Sequence, residues 1–123
     1  MRDTKQEPWS KTDATYALRE MGNHPGLSLA YKVHATQRLS ERGIIVSDVL
    51  QLLRTGFVYK DSVEARNRGY YKYEIEGFTP NSAGRKIGAI VIPSVISMTI
   101  KVVTVYWIDE HETRTGTILE DTL

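Results

Sequence analysis

Apolar positions in the first third of the chain recur at helical spacing. Ala14, Ala17, Leu18 and Met21 form one narrow stripe, which predicts a helix over residues 10–21. Ser10 is a good N-cap, Asp13 stands at the third helical position, and Gly22 ends the helix before a turn at residues 23–26. So narrow a face needs a larger surface to pack on. Residues 27–33 read either as a short strand or as an extended lead-in. A second helix is expected over residues 34–42, with Ala35 and Leu39 inward and Gly43 just past its end. Residues 44–46 cross over. Ser47 then caps a third helix in which Val49, Leu52 and Leu53 share a face, and Gly56 ends it.

From Phe57 the period changes to two. Residues 57–63 read as a first strand, followed by a turn at 65–69 that carries Arg66 and Arg68. Residues 70–77 alternate clearly: Tyr71, Tyr73 and Ile75 face one way, and Lys72, Glu74 and Glu76 the other. A polar loop with Pro80, Asn81 and Gly84 leads to a third strand at residues 86–92. The fourth, residues 100–108, is apolar on both faces, which places it centrally. The predicted fold is α+β, with N-terminal helices packed on a four-stranded antiparallel sheet. Its 123 residues fit one domain: an extension with one helix (1–32), a core (33–108) and an acidic tail (109–123).

Residues 87–108 hold one charge, Lys101, in 22 positions and could be mistaken for a membrane helix. Thirteen of those positions are β-branched, Pro93 interrupts the run, and Lys101 would sit deep in the bilayer, so two core strands are expected instead. The loop between them carries Val95, Ile96 and Met98. These either fold under the sheet or form a sticky patch that marks a homodimer or partner contact. The first twenty residues lack the apolar core of a secretory signal.

Net charge is +1, but its distribution is uneven. Residues 1–30 sum to zero, residues 31–108 carry eleven basic against six acidic side chains, and residues 109–123 sum to −4. A basic body can attract phosphate; the acidic tail either solvates the end or covers that body as an internal competitor. The absence of cysteine excludes a disulfide scaffold and a thiol nucleophile, and fits a cytoplasmic protein. With only three scattered histidines, no metal site or other cofactor is expected.

Candidate chemistry begins on the second helix. His34 and Arg38 are four apart on one face, and Arg42 continues the row beside Ala35 and Leu39. An imidazole can move a proton near neutral pH, and guanidinium groups stabilise charge developing on phosphate. The plainer alternative is a histidine bonding the local backbone and Arg38 pairing with Glu41. The run His34-Ala35-x-x-Arg38-x-x-Glu41-Arg42-Gly43-Ile44, the later Asp48-Val49, the strand with Tyr73 and Gly77, and Val103-Thr104-Val105 resemble an uncharacterised bacterial family. That family is grouped with BrnT-like and RelE-like toxins, and the resemblance covers about residues 33–108. It implies a compact helix-plus-sheet fold and a toxin-like, metal-independent endoribonuclease held silent by an antitoxin-like partner protein. It highlights His34, Arg38, Arg42, Tyr73 and Thr104, of which His34, Arg38 and Tyr73 are the candidate catalytic groups. For RNA binding, Arg42, Lys60, Arg66, Arg68 and Lys72 can hold backbone phosphates, and Tyr70, Tyr71 and Tyr73 can stack on bases. The alternative is a non-catalytic module on the same fold that binds nucleic acid or protein.

Overall fold

In the computed structural model, which describes residues 6–111, the first three helices pack on one face of a mixed sheet. The first helix, α1 (Lys11–Gly22), starts where Ser10 predicts: the Ser10 hydroxyl accepts from the Asp13 N–H at 3.1 Å. Its stripe of Ala14, Ala17, Leu18 and Met21 is buried against α3. The second helix, α2 (Val33–Arg42), lies on the sheet, and Gly43 closes it with φ +67°, a left-handed conformation that favours glycine. The third, α3 (Val46–Thr55), begins earlier than the Ser47 cap predicts. Its N-cap is Ile45, and Asp48 supplies the cap by accepting from the Ile45 N–H at 3.0 Å. Asp48 also accepts from Thr79 Oγ1 at 2.7 Å and Asn81 Nδ2 at 3.0 Å, tying α3 to the short 3₁₀ turn Pro80–Ser82.

The strands are β1 (Ser28–Tyr31), β2 (Phe57–Val58), β3 (Val63–Glu64), β4 (Tyr71–Gly77), β5 (Ile87–Ser94) and β6 (Thr99–Trp107), and α4 (Ile108–His111) follows. The sheet order is β1-β6-β5-β4-β2, with β3 also on β4. The expectation of four antiparallel strands is corrected twice. Residues 28–31 form a strand that pairs with β6 in parallel, which makes the sheet mixed. The single first strand over 57–63 is two short ones on the same edge of β4. Phe57 pairs with Glu76 and Val58 with Ile75, whereas Val63 pairs with Lys72 and Glu64 with Tyr71. Four residues, 59–62, therefore stand opposite two, 73–74, and the edge bows out between β2 and β3.

β6 is an interior strand because β1 covers the edge that a four-stranded meander would leave open. β5 and β6 form a hairpin through residues 95–98, and Pro93 lies inside β5. A bulge sits at Val103: Ile90 pairs with Thr104 and Val91 with Val102. That extra residue lets Val102 and Val105, three apart, both reach the helix-side core. A smaller core of Ile90, Val103, Tyr106 and Ile108 forms on the outer face, away from α1, α2 and α3. Among the described residues, no helix is long and apolar enough to cross a membrane.

Candidate nucleic-acid interface

The outer face of the sheet is a series of cross-strand rows. At one end Glu76, Gly88 and Tyr106 are in register, then Glu74, Ile90 and Thr104. These are an acidic end. The Glu74 carboxylate is 1% exposed and accepts from the Tyr106 hydroxyl, two strands away. Gly88 makes this reach possible: a Cβ there would lie 2.8 Å from the Tyr106 ring, so only glycine lets the ring lie across β5. Lys60, from the bowed segment, forms an ion pair with Glu74 at 3.1 Å, and Lys86 bonds Glu76 at 3.2 Å. Thr104 Oγ1 is buried in this region without a hydrogen bond.

One row further the charge reverses. Lys101 pairs with Ile92 on β5 and with Ala30 on β1, and Lys72 lies beside Ile92, one step beyond the Tyr73–Val91 pair. Two strand spacings, about 10 Å, separate the two lysine positions. Around this row is a cleft of about 640 Å³. Lys32, Arg66, Lys72 and Lys101 contribute four cations to its lining against one carboxylate, Glu64. Ile92 supplies apolar surface, Tyr70 an aromatic ring, and Ser94, Ser97 and Thr99 hydroxyls. The β3–β4 hairpin that presents Arg66 and Tyr70 is closed by the Ala65 N–H on the Tyr70 carbonyl at 2.9 Å and the Tyr70 N–H on Asn67 O at 3.2 Å.

The residues singled out in the sequence separate into groups. Arg66 and Lys72 line the cleft; Arg68 is exposed on the same hairpin outside the lining. Lys60 lies at the acidic end, on Glu74. Arg42 bonds the Val105 carbonyl at 2.6 Å, while its own carbonyl accepts from Trp107 Nε1 at 2.9 Å, so it braces α2 on β6. His34 is exposed on the first turn of α2, and Arg38 is paired with Glu41 at 3.5 Å. Tyr73 does not join them. It is fully buried on the helix side, its ring 5.2 Å from that of Trp9. Its hydroxyl accepts from the Trp9 N–H at 3.0 Å and donates to Glu7 Oε1 at 2.9 Å. Burial pushes the Tyr73 hydroxyl well above the ordinary tyrosine range, and the neighbouring Glu7 carboxylate adds to this. His34, Arg38 and Tyr73 are therefore not brought together as one catalytic group, because Tyr73 lies on β4 beside Trp9 whereas α2 packs on β6 and β1, two strands away.

Of the proposed partner patch, Val95 and Met98 are half-buried against the core and Ile96 alone is fully exposed. At the start of the acidic tail, Asp109 and Glu110 both bond Arg85, at 2.8 and 2.9 Å. The competitor role given to the rest of that tail falls on residues outside those described.

Two of the four lining cations, Lys32 and Lys101, were not among the residues singled out in the sequence. Lys32 stands at the seam between β1 and α2, its N–H bonded to the Val102 carbonyl at 3.0 Å. Lys101 was visible as the lone charge of an apolar run, but the bulge at Val103 resets the alternation that would assign its face.

Searches of curated proteins and of solved structures each return no match. Residues 31–107 match a family model, and the chain belongs to that family, described as a domain of unknown function (DUF4258).

Proposed function

We propose that the chain is an RNA-binding module whose contact surface is the basic cleft on the outer face of the sheet. The observation that carries this reading is the meeting of Lys32 from the seam of β1 and α2, Arg66 and Lys72 from the β3–β4 hairpin, and Lys101 from β6 around one concavity. Phosphate contacts of this kind release counterions and make binding steeply salt-dependent. The resemblance of residues 33–108 to BrnT-like and RelE-like toxins belongs to the same reading, and is what directs it to RNA.

A second reading, metal-independent cleavage of the bound RNA, is favoured by one observation. Lys32 lines the cleft and is the N-cap of α2, which sets exposed His34 two residues from it. On that reading His34 takes the proton of a 2′-hydroxyl, whose oxygen bonds the adjoining phosphorus to give a 2′,3′-cyclic phosphate as the P–O5′ bond breaks and the leaving 5′-oxygen takes a proton from water, while the cleft cations hold the phosphate.

The test is a titration of labelled RNA by fluorescence anisotropy at several salt concentrations, with the RNA then run on a gel. Lys101→Met and Arg66→Ala should each weaken binding and lower the salt slope by about 0.7 for a single strand. Lys11→Ala, on exposed α1 surface, should do neither. Absence of binding at low salt would end the RNA reading. Intact RNA at every pH, with and without ribosomes, would end the cleavage reading, and cleavage that survives His34→Ala would end the role given to His34.

A further inference from the structure

The cleft is not uniformly basic. Tyr70, 41% exposed, stands on its hairpin wall beside Arg66, and Ile92 lies between the two lysine positions. A face of two lysines alone would suit any polyanion. An aromatic ring and an aliphatic side chain inside the same concavity suit a ligand with a flat apolar part next to each charge. Nucleotide bases have that character only when they are unstacked, since in a duplex they are covered by their neighbours. The volume of about 640 Å³ lies in the range of small-ligand pockets, roughly 300–1,000 Å³, and holds one or two nucleotides and not a helix.

Resting on the RNA-binding reading, we propose that the cleft selects single-stranded RNA, seating a phosphate between Lys72 and Lys101 and stacking the adjoining base on Tyr70. The hydroxyls of Ser94 and Thr99, paired in register one row beyond Lys101, then face the sugar. Aromatic stacking tolerates every base, so the cleft discriminates strandedness more strongly than sequence.

The experiment is competition against a labelled single-stranded RNA dodecamer by three competitors: the unlabelled strand, its perfect duplex, and uridine monophosphate. The unlabelled strand should compete at least tenfold better than either of the others. Tyr70→Ala should weaken the single strand about tenfold while leaving the salt slope unchanged, because it removes stacking and no phosphate contact. Tyr16→Ala, an exposed tyrosine on α1, is the control and should change nothing. Circular dichroism of both variants confirms that they fold. Duplex competing as well as single strand, or Tyr70→Ala leaving affinity unchanged, overturns this inference and leaves the basic RNA surface standing. Uridine monophosphate competing as well as the strand assigns the cleft to free nucleotides and overturns it too. If no RNA of either kind binds, the RNA-binding reading falls with it.

Discussion

Tyr73→Phe separates a structural tyrosine from a catalytic one. The substitution keeps the ring, which is fully buried and stacked on Trp9, and removes only the hydroxyl. Two hydrogen bonds go with it, from the Trp9 N–H and to Glu7 Oε1. Trp9 is 4% exposed, so its N–H loses the bond to the hydroxyl at a site away from water, which costs about 1–3 kcal/mol. Glu7 is only half-buried and recovers part of its loss from solvent. The expected destabilisation is about 2 kcal/mol. At about 2.1 cal/mol/K of unfolding entropy per residue, 123 residues turn this into a Tm lower by roughly 8 °C. Urea unfolding followed by tryptophan fluorescence reads it directly, with the slope unchanged.

The same variant carries a pH signature. Burial raises the Glu7 carboxyl above its ordinary range, and the Tyr73 hydroxyl partly counters this by bonding the ionised form. A carboxyl raised on folding favours its protonated form. The associated stability is present below its unfolded pKa, about 4.3, and is lost as pH rises through the folded value. Losing the hydroxyl raises the folded value further, so the cost of Tyr73→Phe should be smaller at pH 4 than at pH 7. RNA affinity should not change, because Tyr73 faces the helices. Unchanged stability together with lost RNA binding or cleavage would show that the hydroxyl acts on substrate, and would refute the placement.

Three further perturbations test the frame around the cleft. Asp48→Ala removes three hydrogen bonds at the start of α3 and should cost about 2–3 kcal/mol at pH 7 by chemical denaturation. Burial raises the Asp48 carboxyl, but its bonds to Ile45, Asn81 and Thr79 outweigh that and hold it below the ordinary value. Its contribution is therefore present above about pH 4 and lost as pH falls through the folded value, and Asp48→Asn should flatten stability in that acid window. Gly56→Ala would set a Cβ 2.6 Å from the Leu52 carbonyl and 2.9 Å from that of Glu76, both backbone, and should cost about 1–3 kcal/mol by the same measurement. Met21→Asp, at a fully buried position, should cost 2 kcal/mol or more, on the order set by lost apolar contact and a desolvated charge; wild-type stability would mean that α1 does not dock as described.

What the sequence made legible was local. The Ser10 cap, the α1 stripe and the alternation along β4 each follow from side chains within a few positions of one another. Three features depended on distant pairing. Four residues at 28–31 carry too little pattern to announce a strand, and they become one because β6 offers a parallel edge. The bow at residues 59–62 is visible only against the register of β4. The bulge at Val103 puts Lys101 and Tyr106, five apart, on the same face, where strict alternation separates them. The case of Tyr73 is different. Period two already sends Tyr73 and Lys72 to opposite faces, so a site using both asks for a surface that one strand does not provide.

Amide chemical-shift mapping of the labelled protein on addition of single-stranded RNA tests the central claim most directly. Shifts should concentrate at Lys32, on the hairpin from Glu64 to Tyr70, at Lys72, and at Ile92, Ser94, Thr99 and Lys101, with α1 and α3 unmoved. Shifts centred on the helix side of the sheet, or none at saturating RNA, would contradict it.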